Sequence, residues 1–501
     1  MHEDFKLAIS TFKRKRKKIV MCHGVFDVIH SGHIEYFKQA KNLGDILVVS
    51  VTTDKFVNKG PFRPINTIKD RINVLKNLAI VDLVIQSDYE TAEKNIDDVK
   101  PDIYCKGPDY IKKNNKDINL KKELNTLKKN KGKFITVKHI KKSSNKIIKS
   151  NDLDLISKND LYSKHVLRLR TKFKKDIINN SLLKLKNNSS FILGELIIDI
   201  YNFLDVLGKS GKEPMLVYKE NSKKKFLGGS ALIANICSTF SKNTNYIFCI
   251  GEKNNEINFI KKKLNKKLRY NYLVKKNSNT FTKMRYLDSY KNIKILGIYD
   301  IDEKNLDIKI EKQYLNKLKL FSKKVDTIIL VDYSHGEITK NIKKNLLKFK
   351  QKLFVNSQLN SNNIGSYSLD KYKNINTLCV NENELRFGMK DYKSPLRNLA
   401  KKLITRNNYK NLIVTKGKFG SYLFRSDKDF FCPAFVQNPD DTIGSGDAFF
   451  SIASLCLSAK IEPDLCLFFA SIAASYTVSN LGNDKYFDYD IFKKNLEYLF
   501  N

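Results

Sequence analysis

Asp440-Asp441-Thr442-Ile443-Gly444-Ser445-Gly446-Asp447-Ala448-Phe449-Phe450 runs directly into an apolar helical pattern over 446–459, and this stretch decides how the rest of the chain is read. Two glycines at a helix start leave backbone amides open to an anion, and the helix dipole adds to the attraction. Asp447, one residue into that helix, is placed to accept a proton from a substrate hydroxyl as a phosphoryl group moves. Thr442, Gly444, Ser445 and Gly446 are the expected phosphate-binding residues. A plain Asp and Gly cap on a buried helix would explain the turn. It would not explain both glycines together with the preceding Asp-Thr.

Short apolar runs alternate with helical periods around this stretch. Strands are expected at 191–193, 197–200, 246–250, 327–331, 353–355, 377–380 and 412–415, with helices at 230–240, 396–406 and 463–481. That rhythm implies a parallel sheet with helices on both faces, and the domain is expected to cover 188–501. The lysine- and asparagine-rich stretch 151–187 reads as a linker with a weak helical period over 161–185. Residues 1–150 repeat the α/β rhythm, with strands at 18–22, 46–51, 81–85, 102–105 and 134–137 and helices at 32–42, 67–78 and 117–129. Two domains suit a chain of 501 residues, which exceeds what one core usually fills.

The first domain has its own chemical signal. Only seven histidines occur in the chain, yet His23, His30 and His33 fall together in Met21-Cys-His-Gly-Val-Phe-Asp-Val-Ile-His-Ser-Gly-His33. A strand ends in a glycine-bearing loop, and His-x-Gly-His opens the next helix. Gly32 lets a phosphate approach the backbone, and the helix start supplies amides and positive dipole. Two imidazoles there can donate to the oxygens of an α-phosphate as charge builds in the transition state. A chance polar cap is the bland alternative. A zinc site is another, but no cysteine or acidic third ligand lies at suitable spacing.

This first domain resembles the cytidylyltransferase-like nucleotidyltransferase family over 17–150. Besides His-x-Gly-His, it carries Thr53-Asp54, Arg63-Pro64, Asp70-Arg71, Lys106-Gly107-Pro108-Asp109-Tyr110 and Ser143-Ser144-Asn145-Lys146-Ile147-Ile148. The similarity extends to the adenylyltransferase half of the bacterial bifunctional heptose enzyme of lipopolysaccharide synthesis. A Rossmann-like fold is implied, with attack of a sugar 1-phosphate on a nucleotide α-phosphate, Mg²⁺ as cofactor and pyrophosphate as leaving group. By the same resemblance Gly24, Phe26, Gly32, Arg71, Ser143 and Ser144 bind the nucleotide and its phosphates, and His30 and His33 are catalytic. Asp27 and Asp109 then face the second substrate.

The second domain resembles the ribokinase-like carbohydrate kinases over about 188–495. Gly194-Glu195 and Asp199 follow its first strand, where the family binds sugar hydroxyls, and Gly228-Gly229 opens the next helix. Asn381-x-x-Glu384 resembles the family's Mg²⁺–water motif, and Thr415-Lys416-Gly417 with Gly420 resembles the nucleotide-binding turn. Asp332-Tyr333 is similar to a pair near the phosphates in the heptose kinase. The family usually has Asn where this chain has Leu232, and the domain order is the reverse of the heptose enzyme's. Intact phosphoryl-transfer chemistry on a rewritten sugar end is therefore expected. The two activities together imply a nucleotide-activated sugar for surface glycan or lipopolysaccharide. A polyol- or glycerol-phosphate cytidylyltransferase beside an unrelated sugar kinase is the rival.

Composition narrows the classes. The formal charge of +40 comes mostly from lysines spread along the whole chain, without a concentrated stripe of interleaved aromatics, so nucleic acid is not the expected partner. Eight scattered cysteines without paired spacing read as core residues in a reducing compartment. No secretory pattern or membrane span is expected, which suggests a cytoplasmic protein. The expected ligands are sugar phosphates, ATP with Mg²⁺, and ATP or CTP in the first domain. A homodimer is the expected assembly.

Overall fold

The computed structural model describes residues 2–57, 64, 66–107, 118–137, 160–361, 363–365, 367–436, 441–478, 482 and 488–500. The chain separates into two units, Met1–Asp160 with Lys494–Asn501 and Leu161–Lys493. No helix among the described residues is long and apolar enough to cross a membrane. Both units are α/β.

In the first unit β1 (Ile19–Gly24), β2 (Ile46–Thr52), β3 (Leu83–Ser87), β4 (Ile103–Lys106) and β5 (Lys133–Thr136) form a sheet in the order β3-β2-β1-β4-β5. Every pairing is parallel. β1 and β4 are apolar runs buried along most or all of their length, as strands covered on both faces require. Helices such as Ser31–Lys41 and Ile68–Lys76 supply the crossovers. The order reverses between β1 and β4. The loops leaving their C-terminal ends therefore diverge, and a sheet of this kind has its ligand crevice there.

The second unit contains β6 (Ser189–Gly194), β7 (Leu196–Lys209), β8 (Leu216–Gly229), β9 (Asn243–Gly251), β10 (Arg269–Lys275), β11 (Thr282–Asp288) and β12 (Lys294–Asp300). It continues through β13 (Thr327–Asp332), β14 (Leu353–Ser357), β15 (Thr377–Asn381), β16 (Asn411–Thr415), β17 (Ser421–Phe424) and β18 (Asp429–Cys432). Nine strands make one sheet, β10-β9-β6-β13-β14-β15-β16-β17-β18, parallel until β17 and β18 turn back. A second sheet, β12-β11-β7-β8, stands apart from it. β7 is buried over its first half and largely exposed over its second, so the smaller sheet is rooted in the unit and projects from it. Helices Ser445–Ser458 and Pro463–Val478 are buried along most of their length.

The stretch expected as a linker is described from residue 160 onward, where it forms helices Asp160–Lys172 and Lys175–Asn187. Leu169, Phe173, Ile178, Leu182 and Leu185 are buried at helical spacing. All eight cysteines are free thiols, seven buried and Cys249 half-buried.

Candidate active sites

In the second unit, β7 and β11 run side by side with Asp199 opposite Lys283. Arg285, two residues on and on the same face, donates from Nη1 to Asp199 Oδ1 at 2.5 Å. Gly228 on β8 makes room for this carboxylate: a Cβ there would lie 2.2 Å from Asp199 Oδ2. Gly229 caps helix Ser230–Phe240, and a Cβ on it would meet Tyr333 Cε2 at 3.0 Å. Glu195, fully buried, accepts from the amides of Tyr333 at 2.5 Å and His335 at 2.8 Å, which fixes the loop after β13 to the junction of β6 and β7.

Gly444 takes a left-handed conformation, φ 78°, at the cap of helix Ser445–Ser458. That turn points Asp447 back at Tyr333, whose hydroxyl donates to its Oδ1 at 3.4 Å. The half-buried Asp447 carboxyl is pushed up to about 7, by desolvation first and by Asp199 second. Lys283, the Tyr333 hydroxyl and the Gly229 amide pull the other way. Burial lowers the Lys283 ammonium, while Asp199 and Asp447 act to hold it charged. The residues expected at the sugar and the expected base thus share one electrostatic cluster. A carboxylate near 7 and a neighbouring cation suit proton removal at neutral pH.

A cleft opens beside the same helix start. Thr415, Gly417, Thr442, Ser445 and Gly446 line it with Phe435, Phe449 and Val478. Its walls are mostly apolar, while the first-turn amides of the helix lie at one end. That combination fits a base and sugar with a phosphate chain. Five of the six expected nucleotide residues of this unit thus line one cleft, Gly444 caps the helix that borders it, and Asp447 sits in the first turn of that helix. Asp441 accepts from Tyr201 Oη at 2.5 Å and Lys294 Nζ at 2.8 Å, which ties the smaller sheet to the glycine turn.

Asn381 and Glu384 form a reciprocal capping box on helix Glu382–Met389. Both Glu384 oxygens accept backbone amides, from Asn381 at 2.6 Å and Leu359 at 3.1 Å, and burial raises the carboxyl to about 7. Each oxygen keeps a lone pair. The pair therefore fits a contact to a Mg²⁺-bound water. No group of three or more metal-ligating side chains occurs among the described residues. Mg²⁺ held chiefly by phosphates and waters needs none.

In the first unit His23 lies in β1, and the loop after that strand ends at His30, with His33 in the first turn of the helix that follows. His30 caps helix Ser31–Lys41, and its Nδ1 accepts the Gly32 amide at 3.0 Å. The neutral ring then carries its proton on Nε2, which leaves that nitrogen a donor. The His33 ring lies 4.0 Å from the His30 ring, centroid to centroid. Phe26 holds an uncommon left-handed backbone, φ 48°, and sets its ring edge-on to His33 at 5.5 Å. Gly24 leaves room for that ring, since a Cβ would lie 3.0 Å from Phe26 Cζ. Asp27 is buried and accepts the Asn66 amide at 2.8 Å.

Arg71, expected at the phosphates, is 1% exposed. It donates to the carbonyls of Asn66 (3.0 Å), Val25 (2.5 Å) and Thr52 (2.9 Å) and to Asp54 Oδ1 (2.6 Å). Its place is that of a clamp behind the loop. Lys106, at the end of β4, is buried against Glu123 at 3.3 Å. Asp109, Ser143 and Ser144 lie outside the described residues. The sequence reading did not single out Lys283, Arg285, Tyr201 or Lys294. The strand alternation Lys283-Met284-Arg285-Tyr286, which puts both cations on one face, is the signal that would have raised the first two.

Residues 187–485 match the model for pfkB family carbohydrate kinases, and residues 21–153 match the cytidylyltransferase-like model. The bifunctional protein HldE of Hahella chejuensis is 44% identical over 112 residues, which are 22% of this chain and 24% of that protein. That of Escherichia coli O1:K1 is 39% identical over 110 residues, 22% and 23% of the two chains. These matches fall in the cytidylyltransferase-like domain. The chain thus spans about a quarter of the length of these curated relatives. Phosphofructokinase-2 from Escherichia coli, solved in complex with substrates and products, aligns with 63% of this chain and 100% of its own, at 14% identity and a TM-score of 0.50. That likeness is one of fold.

Proposed function

Because the chain belongs to the pfkB family of carbohydrate kinases and carries a cytidylyltransferase-like domain ahead of the kinase, we propose that it is a bifunctional enzyme making a nucleotide-activated sugar. The second unit phosphorylates a sugar with ATP, and the first couples a sugar 1-phosphate to a nucleotide. One observation carries the kinase reading: Asp447, Asp199, Lys283 and Tyr333 converge at the helix start that also borders the apolar cleft.

In this reading Asp199, held by Arg285, orients sugar hydroxyls across Gly228 and Gly229. Asp447 takes the proton of one hydroxyl, whose oxygen attacks the γ-phosphorus while ADP leaves. The amides around Gly446 face the oxygens on which charge accumulates. Mg²⁺, when bound, supplies charge neutralisation between the phosphates, with Asn381 and Glu384 facing its waters. The cations Lys283, Arg285 and Lys294 on the smaller sheet favour a substrate that already bears a phosphate, such as a heptose phosphate.

In the first unit His30 Nε2–H and the His33 ring donate to α-phosphate oxygens. A sugar 1-phosphate oxygen attacks the α-phosphorus of ATP or CTP, and pyrophosphate leaves. The end product suits surface glycan or lipopolysaccharide synthesis. The test is to incubate the whole protein with ATP or CTP and a panel of sugars and sugar phosphates. ADP and pyrophosphate are followed separately, and products are read by mass spectrometry. No ADP above background with any sugar would remove the kinase reading. Pyrophosphate released only from CTP with a polyol phosphate would replace the sugar-nucleotide reading with that of a polyol-phosphate cytidylyltransferase.

A further inference from the structure

We propose that helix Asp160–Lys172, which precedes the kinase region matched by the family, completes the kinase's nucleotide cleft, and that Tyr162 is a positioning residue for ATP. This rests on the reading of the cleft as the ATP site. The cleft is lined by Phe435 and Val436 and by Ser471, Ser475 and Val478 from helix Pro463–Val478. Tyr162 meets Phe435 edge to face with ring centroids 4.8 Å apart, and Phe435 in turn meets Phe468 at 5.3 Å. One turn on, His165 lies over Phe468 at 6.3 Å. Further along the same face, Arg168 (3.1 Å) and Lys172 (2.5 Å) both pair with Asp464, a buried carboxylate in the first turn of Pro463–Val478.

A single helix therefore braces both lining segments, Phe435 through Tyr162 and helix Pro463–Val478 through Phe468 and Asp464. Residues 162, 165, 168 and 172 recur at the three- and four-residue spacing that puts them on one side. The family match begins at residue 187, so the matched kinase region does not itself contain this brace. Phe435 both touches the brace and lines the cleft. Its ring is held on one side by Tyr162 and on another by Phe468. Losing Tyr162 frees it to turn into the space that the nucleoside would occupy.

The test uses the whole protein; its binding arm needs no sugar, and its rate arm uses the sugar that supports ADP formation in the panel above. Hydrogen exchange is followed in the segments around Phe435 and over Pro463–Val478 while MgATP is titrated. In Tyr162→Ala the ATP concentration for half-maximal protection is expected to rise about threefold to tenfold, the scale of one aromatic pair. Tyr162→Phe, which keeps the ring contact, restores the wild-type titration. At saturating ATP the maximal rate of ADP formation is unchanged, so the effect falls on KM. Should the Ala variant prove insoluble, Tyr162→Leu keeps the apolar bulk and carries the same expectation. A wild-type titration in Tyr162→Ala or Tyr162→Leu overturns the inference and leaves the ATP site intact. Absence of ATP-dependent protection in the wild-type segments removes the ATP site, and the inference with it.

Discussion

Asp447→Asn separates rate from stability in the kinase, because it moves the two in opposite directions. The amide keeps the shape of the side chain but cannot accept the substrate proton. Loss of a general base costs on the order of 10²–10⁴-fold. ADP formation by the whole protein reports this directly, since nucleotidyl transfer releases pyrophosphate instead. The wild-type rate is expected to rise as pH increases through about 7, where Asp447 ionises, and to level above it. The stability effect follows from the same carboxyl. In the fold it titrates near 7, against 3.8 unfolded, so the folded state binds the extra proton between those values. Wild-type stability therefore falls as pH rises from about 4 to 7, and the full penalty is present above 7. Fully buried, a displacement of that size would correspond to a ceiling of about 4 kcal/mol. Solvent at the site mouth reduces it to about 1–2 kcal/mol. Asp447→Asn is expected to melt a few degrees above wild type at pH 8, and at the same temperature near pH 4. Calorimetry at the two pH values and an ADP-coupled assay check both limbs. A variant that retains more than about a tenth of the rate, or that melts lower than wild type at pH 8, would refute the assignment of Asp447 as a desolvated base.

Other outcomes follow from the two sites. Replacing His33 with Ala removes one donor at the α-phosphate, so pyrophosphate release is expected to slow about 10²–10³-fold while ADP formation is unchanged. Arg71→Met leaves the carbonyls of Val25, Thr52 and Asn66 without their donor, at about 1–3 kcal/mol for each group left buried. The first unit should then lose its exchange protection at lower temperature and its pyrophosphate release, with the kinase rate intact. Gly228→Ala drives a methyl into Asp199 Oδ2 and displaces it from Arg285. The expected result is a rise of about tenfold or more in KM for the sugar, with ATP KM little changed, measured by ADP formation.

The parallel strands were legible because each is a short apolar run between helical periods, as at β13 and β16. The smaller sheet was not. β12 is exposed along nearly its whole length, and β8 contains Lys223-Lys224-Lys225, so neither shows the apolar contrast that marks a half-buried strand. Asp447, His30 and His33 stand out in the sequence because each sits in or beside a glycine-bearing turn whose spacing has a mechanism. Lys283 and Arg285 were lost among 92 lysines and arginines. Arg71 shows a different limit. The same residue type serves phosphate binding at a surface and carbonyl clamping in a core, and only burial distinguishes them. Asn381 and Glu384 show a third: the spacing that caps a helix is also the spacing of the family's metal–water motif, so the letters alone carry both readings.

The placement of the cysteines turns the protein into its own chemical clock. Burial raises the thiols of Cys22, Cys237, Cys379 and Cys456 above their ordinary range, so at neutral pH they stay protonated as well as shielded. Thiolate is the reactive form. Peroxide or an alkylating reagent therefore meets almost no reactive sulfur while the chain is folded, and meets eight when it opens. Cys22 and Cys105 fall in the first unit and the other six in the second. The order in which these thiols become modified under slow oxidation would thus record which unit opens first, and how often.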